Sequence, residues 1–233
     1  MDQPENICAV SVDQDDEVLA QVGPLLLSFV KVVEKYCQIE GSPPYWFNER
    51  ACVSLLAAAA WQAGWVALEE YSTRKVMREG EDRRDRHGRC DLYIRSPGGL
   101  AIAIEAKHAM SSVEKILPEV GSALADARYD AMTLFRGEAS TRLAVAFVTP
   151  GFCLASPPSD ESINDICARI VGGTEEVRPD DLSSAPDSGF QASPRRRTHA
   201  LVFPGSMRSC LGPAGLMYWP GVAMIVQRIK RGF

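Results

Sequence analysis

The segment from Gly88 to His108 constrains the fold more than any other part of the chain. It reads G-R-C-D-L-Y-I-R-S-P-G-G-L-A-I-A-I-E-A-K-H and predicts two apolar strands joined by a tight turn. Because side chains alternate between the two faces of a strand, Glu105 and Lys107 share one face. An acid and a lysine at the end of a buried strand are costly without partners or a metal, so we predict a site here.

The composition is that of an ordinary globular protein with one sizeable core. The chain has 233 residues, of which 46% are hydrophobic and 24% are charged. No apolar run reaches the roughly 18 to 20 residues of a membrane span, and the first residues do not resemble a secretory signal. Seven cysteines form no C-x-x-C pair, which indicates free thiols in a reducing compartment. We therefore expect a cytoplasmic protein with no membrane partner.

Charge is unevenly distributed along the chain. The net charge of −5 argues mildly against binding of nucleic acid by the whole surface. One basic cluster nevertheless leads directly into Asp91, and it contains Arg74, Lys75, Arg78, Arg83, Arg84, Arg86 and Arg89. Residues 76–90 predict a solvated hairpin loop, which is the usual interpretation of a charged run. Such a loop could also reach over a bound polyanion.

Helical and strand patterns alternate on both sides of the hairpin. We expect helices at residues 17–39, 48–62, 113–135 and 160–171, and strands at residues 65–75, 141–149, 198–203 and 222–229. Residues 1–15 and 172–194 predict loosely ordered segments, and Pro150-Gly151 is expected to end a central strand. Three consecutive strands predict an antiparallel meander, and a crossover helix returns the chain to the centre. The expected fold class is a mixed α/β sheet with helices on both faces.

The two strands of the hairpin would bring Asp91 and Glu105 together. Two adjacent carboxylates repel, and a hard divalent cation relieves that repulsion, which indicates Mg²⁺ with Mn²⁺ as a substitute. Glu49 has two interpretations, as an acid favoured by a helix N-terminus or as a third acid aimed at the strand site. Lys107 could orient or deprotonate a metal-bound water. These parts fit phosphodiester hydrolysis.

The segments G-R-C-D-L-Y-I and I-E-A-K resemble the PD-(D/E)XK nuclease superfamily, which has the restriction-endonuclease-like fold. Thirteen residues separate Asp91 from Glu105, and the resemblance covers residues 45–150. It implies a catalytic set of Glu49, Asp91, Glu105 and Lys107. The three acids would bind the metal, helped by the backbone carbonyl of Ala106.

Two positions depart from the pattern of the superfamily. Cys90 stands where many members have proline, and the helix after the strand site shows no glutamine, so Arg128 or Tyr129 is a candidate for that place. The resemblance implies three parts of the chain. These are an N-terminal helical extension at residues 1–44, a catalytic core at 45–155, and a C-terminal part at 156–233 with a helix, a mobile loop and a sheet extension.

The resemblance implies a Mg²⁺-dependent nuclease, acting on DNA rather than RNA, in phage defence, restriction or repair. The residues expected to contact backbone phosphates are Arg83, Arg84, Arg86 and Arg89. Cleavage of both strands would favour a homodimer or a larger protein complex. The alternatives are an RNA-directed nuclease and a catalytically silent subunit of a nucleic-acid-processing or defence complex. Neither a serine-hydrolase G-x-S-x-G motif nor a phosphate-binding P-loop motif is present in the sequence.

Overall fold

A computed structural model describes residues 4–79, 82–135, 137, 139–173, 198–212 and 214–230, without the side chains of residues 77–86 and 173. The strands in this part of the chain are β1 (Ile7–Ser11), β2 (Val66–Glu79), β3 (Asp82–Arg95), β4 (Ala101–Ser112), β5 (Thr141–Cys153), β6 (Thr198–Phe203), β7 (Met217–Tyr218) and β8 (Val222–Arg228). The α-helices are α1 (Gly23–Glu40), α2 (Glu49–Gln62), α3 (Ile116–Thr133) and α4 (Asp160–Gly173). Short 3₁₀ turns lie at Leu19–Val22, Pro44–Trp46 and Gly205–Met207.

Seven strands lie side by side in the order β1-β6-β8-β5-β4-β3-β2, and β7 pairs with the end of β5. Strands β2, β3 and β4 form an antiparallel meander, while β4 and β5 run parallel through the α3 crossover. β8 is antiparallel to both β5 and β6. The mixed α/β sheet and the meander predicted from the sequence are confirmed.

The helices cover both faces of the sheet. On one face, α1 and α2 pack Phe29 and Leu56 against Ile102 and Ile104 of β4 in the larger apolar cluster. On the other face, α3 and α4 pack against the alternate residues of the sheet, including Ala146 of β5. The period of two along each strand thus separates two cores. In the part of the chain that is described, no helix is long and apolar enough to cross a membrane.

Local sequence features explain where α1 begins and ends and where α2 begins. Pro24 lies in the first turn of α1, where backbone N–H groups have no partner within the helix, so proline costs no hydrogen bond there. Gly41 ends α1 in the left-handed conformation at φ 63°, and its N–H donates to the Cys37 carbonyl. Asn48 caps α2 by accepting from the Ala51 N–H with its side chain. Glu49 is consequently the first residue of α2.

The prediction of a loop at residues 76–90 is wrong. β2 continues to Glu79 and β3 begins at Asp82, so this segment is a long two-stranded arm with pairs such as Lys75 opposite Arg86. An antiparallel ladder is made by backbone groups, so charged side chains are compatible with it. A strand of that kind shows no apolar alternation in its sequence.

Two further expectations are corrected by the observed strand pairing. Residues 7–11 form β1, which pairs with β6 instead of being loosely ordered. β5 also continues beyond Pro150 and Gly151 to Cys153. The ladder with β8 stops at Val148, so the missing N–H of Pro150 breaks no bond on that side. Of the predicted loop at 172–194, residues 172 and 173 end α4, and the rest lies outside the described residues.

Candidate active site

The candidate site lies where β3 and β4 separate. Their ladder runs from Arg95 opposite Ala101 to Leu92 opposite Ile104. Beyond it, β3 stays with β2 while β4 continues along β5. At this fork the Asp91 carboxylate accepts a 2.8 Å hydrogen bond from the backbone N–H of Ala106. The carboxylate of one strand is therefore fixed to the backbone of the other.

Glu105 is the most deeply buried acid of the site. The residue is only 1% exposed. Burial and the charge of Asp91 outweigh the opposing effect of the Lys75 ammonium, and together they raise the pKa of the Glu105 carboxyl to about 7. Lys75 Nζ lies 2.9 Å from Glu105 Oε1. The site thus contains a carboxylate whose charge depends on a nearby cation.

Lys107 points to α3, on the same face of β4 as Glu105. Its Nζ lies 2.7 Å from Asp130 Oδ2. Burial lowers the pKa of Lys107, but the hydrogen bond and charge of Asp130 raise it by more, with help from Glu49 and Asp91. The side chain is therefore an ammonium at neutral pH. This favours an orienting role over deprotonation of a water.

Glu49 reaches the site from the other side of the sheet. α2 packs on the face opposite Glu105, with Ile104 and Ala106 of β4. From the first turn of α2, the Glu49 carboxylate is near enough to the backbone N–H of His108 for that group to lower its pKa. The pKa of Glu49 is raised, because burial and the charge of Asp91 together outweigh the opposing charge of Lys107. The structure therefore brings Glu49, Asp91, Glu105 and Lys107 into one electrostatic cluster.

Sequence reasoning missed two members of this cluster. Lys75 was grouped with the basic residues of the arm, and nothing in the sequence indicated that it crosses to Glu105. The residue of α3 that forms an ion pair with Lys107 is Asp130, next to the Arg128 and Tyr129 proposed from the sequence. Tyr129 is 61% exposed. Helical spacing could have placed Asp130 on the inner side of α3, because it lies three residues after Ala127 and one before Ala131, both fully buried.

The predicted phosphate-binding arginines are only partly described. Arg83, Arg84 and Arg86 are on β3, but their side chains lie outside the described residues. Arg89 has its Nη1 3.0 Å from Glu70, which also pairs with Arg50 of α2 at 2.8 Å. Such exposed ion pairs are weak, so Arg89 could exchange this carboxylate for a phosphate.

β2 changes the face it presents just beside the fork. Glu69 faces α2, where it accepts a hydrogen bond from Ser54. Tyr71, two residues later, packs with Cys90 and Ala103 in a small cluster on the opposite face. In a regular strand the two would share a face, but Glu70 between them has φ 46°. This left-handed residue resets the alternation of β2.

The chemistry of the donor set decides whether a divalent cation fits. Three carboxylates offer the hard oxygen ligands that Mg²⁺ prefers, and no described group donates a well-aligned hydrogen bond to the buried Oε1 of Glu105. Among the residues that are described, however, no three His, Cys, Asp or Glu side chains form a ready metal site. The Lys75 ammonium is beside Oε1. The three carboxylates can hold a divalent cation once the Lys75 ammonium moves away from Glu105.

Comparisons with known proteins do not assign the chain to a family. No family model matches the chain, and no curated protein matches it significantly. The solved structure of SSO0001 is similar at 14% identity, covering 69% of this chain and 76% of its own, with a TM-score of 0.23. A TM-score of that size does not establish a shared fold. The class defined by the fold is a mixed α/β protein with a mostly open sheet flanked by helices.

Proposed function

We propose that the protein is a Mg²⁺-dependent nuclease with a PD-(D/E)XK core of the restriction-endonuclease-like fold, acting on DNA in the cytoplasm. One observation supports this most. Acids from α2, β3 and β4 and the ammonium of Lys107 form one cluster, in which the pKa of Glu49 responds to both Lys107 and Asp91. Clustered acids with raised pKa values beside a lysine are typical of catalytic sites.

Each residue has a distinct role in this proposal. Asp91 and Glu105 would hold Mg²⁺, with Glu49 binding directly or through water. When bound, the cation would supply an activated water and would stabilise charge on the phosphate. Lys107 remains protonated, and Asp130 holds its ammonium in place. Lys107 would direct positive charge at the phosphate being cleaved.

The arm formed by β2 and β3 would bind the nucleic-acid backbone. It extends from the fork, so a strand cleaved at Asp91 would continue along it. Arg83, Arg84, Arg86 and Arg89 would neutralise phosphates there, and the affinity would fall as salt increases. A homodimer or a larger complex would place two sites on the two strands of a duplex.

Cleavage assays test the proposal. Metal-stripped protein is incubated with plasmid, single-stranded DNA and RNA, with Mg²⁺ or EDTA. Asp91→Asn and Lys107→Met should each slow cleavage by about 100-fold or more, because each removes a group needed in the transition state. Asp126→Asn and Lys115→Met are charge-matched controls and should cleave at the normal rate. Cleavage by all four variants at the wild-type rate would sink the assignment.

A specific observation favours a second candidate, the catalytically silent subunit. The acids of the site are already engaged, Asp91 by the Ala106 N–H and Glu105 by Lys75. A protein that only binds nucleic acid could keep the fold with these internal pairs. Salt-sensitive oligonucleotide binding without any Mg²⁺-dependent cleavage would support this candidate over the first.

A further inference from the structure

Lys75 occupies a position that the nuclease pattern does not account for. Its Nζ lies 2.9 Å from Glu105 Oε1, and the Glu105 side chain is only 2% exposed. Oε1 is buried and accepts no well-aligned hydrogen bond from the described residues, so the Lys75 ammonium is the positive group that compensates its charge. A buried carboxylate without a counter-charge is costly. Lys75 therefore provides the positive charge that the divalent cation of the proposed site would also provide.

Two features of the backbone direct Lys75 to this place. The left-handed Glu70 resets β2, so that Tyr71 lies on the face of Ala103, and Lys75, four residues later, shares that face. The Lys75 side chain then passes over Gly88 of β3. A Cβ at Gly88 would come within 2.9 Å of the methylene carbons of Lys75. Only glycine leaves this path fully open.

Lys75 also has a way out of the site. Its side chain is 22% exposed, while that of Glu105 is almost fully enclosed. A lysine has a flexible four-carbon stem and three donors, so its ammonium moves to solvent more readily than the carboxylate does. Two cations cannot occupy the same place beside Oε1, because like charges at that distance repel strongly.

We propose that Lys75 is a tethered counter-ion that competes with the divalent cation for Glu105, and so sets the cation concentration at which the site loads. This inference rests on the proposed cation site. Lys75 is a positioning residue, because it acts through Glu105. With the cation absent, the ammonium neutralises the carboxylate. With the cation bound, the ammonium leaves Oε1 and moves to solvent.

Calorimetric titration of the metal-stripped full chain with Mn²⁺ at about pH 8 tests the inference. Lys75→Met and Lys75→Gln should bind Mn²⁺ about tenfold more tightly than wild type, which corresponds to removal of one competing charge contact. Gly88→Ala should shift affinity in the same direction by less, because its Cβ crowds the Lys75 stem. Lys31→Met removes a charge from the exposed side of α1 and should change affinity less than twofold.

The outcomes separate this inference from the proposed function. If wild type binds Mn²⁺, Glu105→Gln abolishes binding and the Lys75 variants bind within twofold of wild type, the competition is overturned and the metal site stands. If neither wild type nor the Lys75 variants bind Mn²⁺, both fail. Melting curves for each variant identify any that do not fold. Two substitutions at Lys75 and one at Gly88 ensure that loss of a single variant leaves the test intact.

Discussion

Glu70 and Asp91 lie opposite one another on β2 and β3, between the pairs Glu69–Leu92 and Tyr71–Cys90. Both are exceptions to regular strand geometry. Glu70 has a positive φ of 46°, and the Asp91 side chain accepts a hydrogen bond from the backbone N–H of Ala106 on β4. A local distortion of this kind re-aims side chains on both strands at once. The fork and the cluster of charges therefore have a common origin in one pair of residues.

Substitution of Glu70 should reveal the cost of this geometry. Glu70→Val places a β-branched residue at positive φ and should lower the free energy of unfolding by about 2 kcal/mol. Glu70→Asn should stay within about 0.5 kcal/mol of wild type, since asparagine tolerates the left-handed region and the ion pairs lost are exposed. Glu69→Val, in extended backbone, is the control. Urea denaturation measures all three, and equal losses for Glu70→Val and Glu69→Val would contradict the strain.

Asp130 should affect cleavage through its ion pair with Lys107. Asp130→Asn keeps the shape but removes the charge that raises the pKa of the lysine, so we expect that pKa to fall and cleavage to slow by about tenfold. The Lys107 pKa can be followed by NMR of its side-chain ¹³Cε. Asp126→Asn, one helical turn earlier on α3, should change neither quantity. An unshifted Lys107 pKa in Asp130→Asn would show that the ion pair is absent in solution.

Stability should depend on pH through Asp16, whose side chain is 4% exposed and lies 2.8 Å from Arg228. Burial raises the pKa of Asp16, but the Leu19 N–H, the Arg228 guanidinium and the Val18 N–H together lower it below 3.8. A lowered folded-state pKa stabilises the protein above the unfolded value, and this contribution is lost as the pH falls through the folded value. Asp16→Asn should therefore cost about 2 kcal/mol at neutral pH.

The same penalty should shrink below about pH 4, where Asp16 of the unfolded wild-type chain begins to take up a proton while the folded chain still holds its charge. Urea denaturation of wild type and Asp16→Asn from neutral pH downward measures the change. Asp15→Asn, at the exposed neighbouring position, should cost little at any pH. A penalty for Asp16→Asn that is constant across the range would mean that its charge contributes nothing.

Gly221 should be intolerant of any side chain. A Cβ there would lie 2.2 Å from the Phe203 ring and 2.6 Å from the Val202 carbonyl oxygen, at the point where β8 joins β6. Gly221→Ala should therefore lower the free energy of unfolding by about 2 kcal/mol or more, since overpacking displaces backbone. Gly98→Ala, whose Cβ would meet only the Ser96 hydroxyl at 3.7 Å, is the control for alanine itself. Similar melting temperatures for both variants would contradict this packing.

The hairpin and its charges were predictable because they follow local rules. Alternation along residues 101–107 places Glu105 and Lys107 on one face, and Asn48 marks the start of α2 with Glu49 in its first turn. The mixed sheet follows from the order of elements. The nuclease activity, the metal and the nucleic-acid partner stay predictions, since they concern ligands and not the chain itself.

The parts that could not be predicted depend on distant contacts. The charged arm forms strands because two backbones pair, and β1 is a strand because β6 offers an edge. Lys75 meets Glu105 only after Glu70 resets β2, and no periodic pattern records a single left-handed residue. Asp130 becomes a site residue because the α3 crossover returns beside β4. Each of these depends on three-dimensional neighbours more than on local sequence.

The position of β8 constrains how the chain acquires its structure during synthesis. β8 follows every other described strand in sequence, yet it lies between β5 and β6 and pairs with both. β6 and its partner β1 consequently have no place on the growing sheet until residues 222–228 have left the ribosome. Until then the edge of β5 is open to other chains, and the nascent protein would depend on chaperones or on rapid translation of β8.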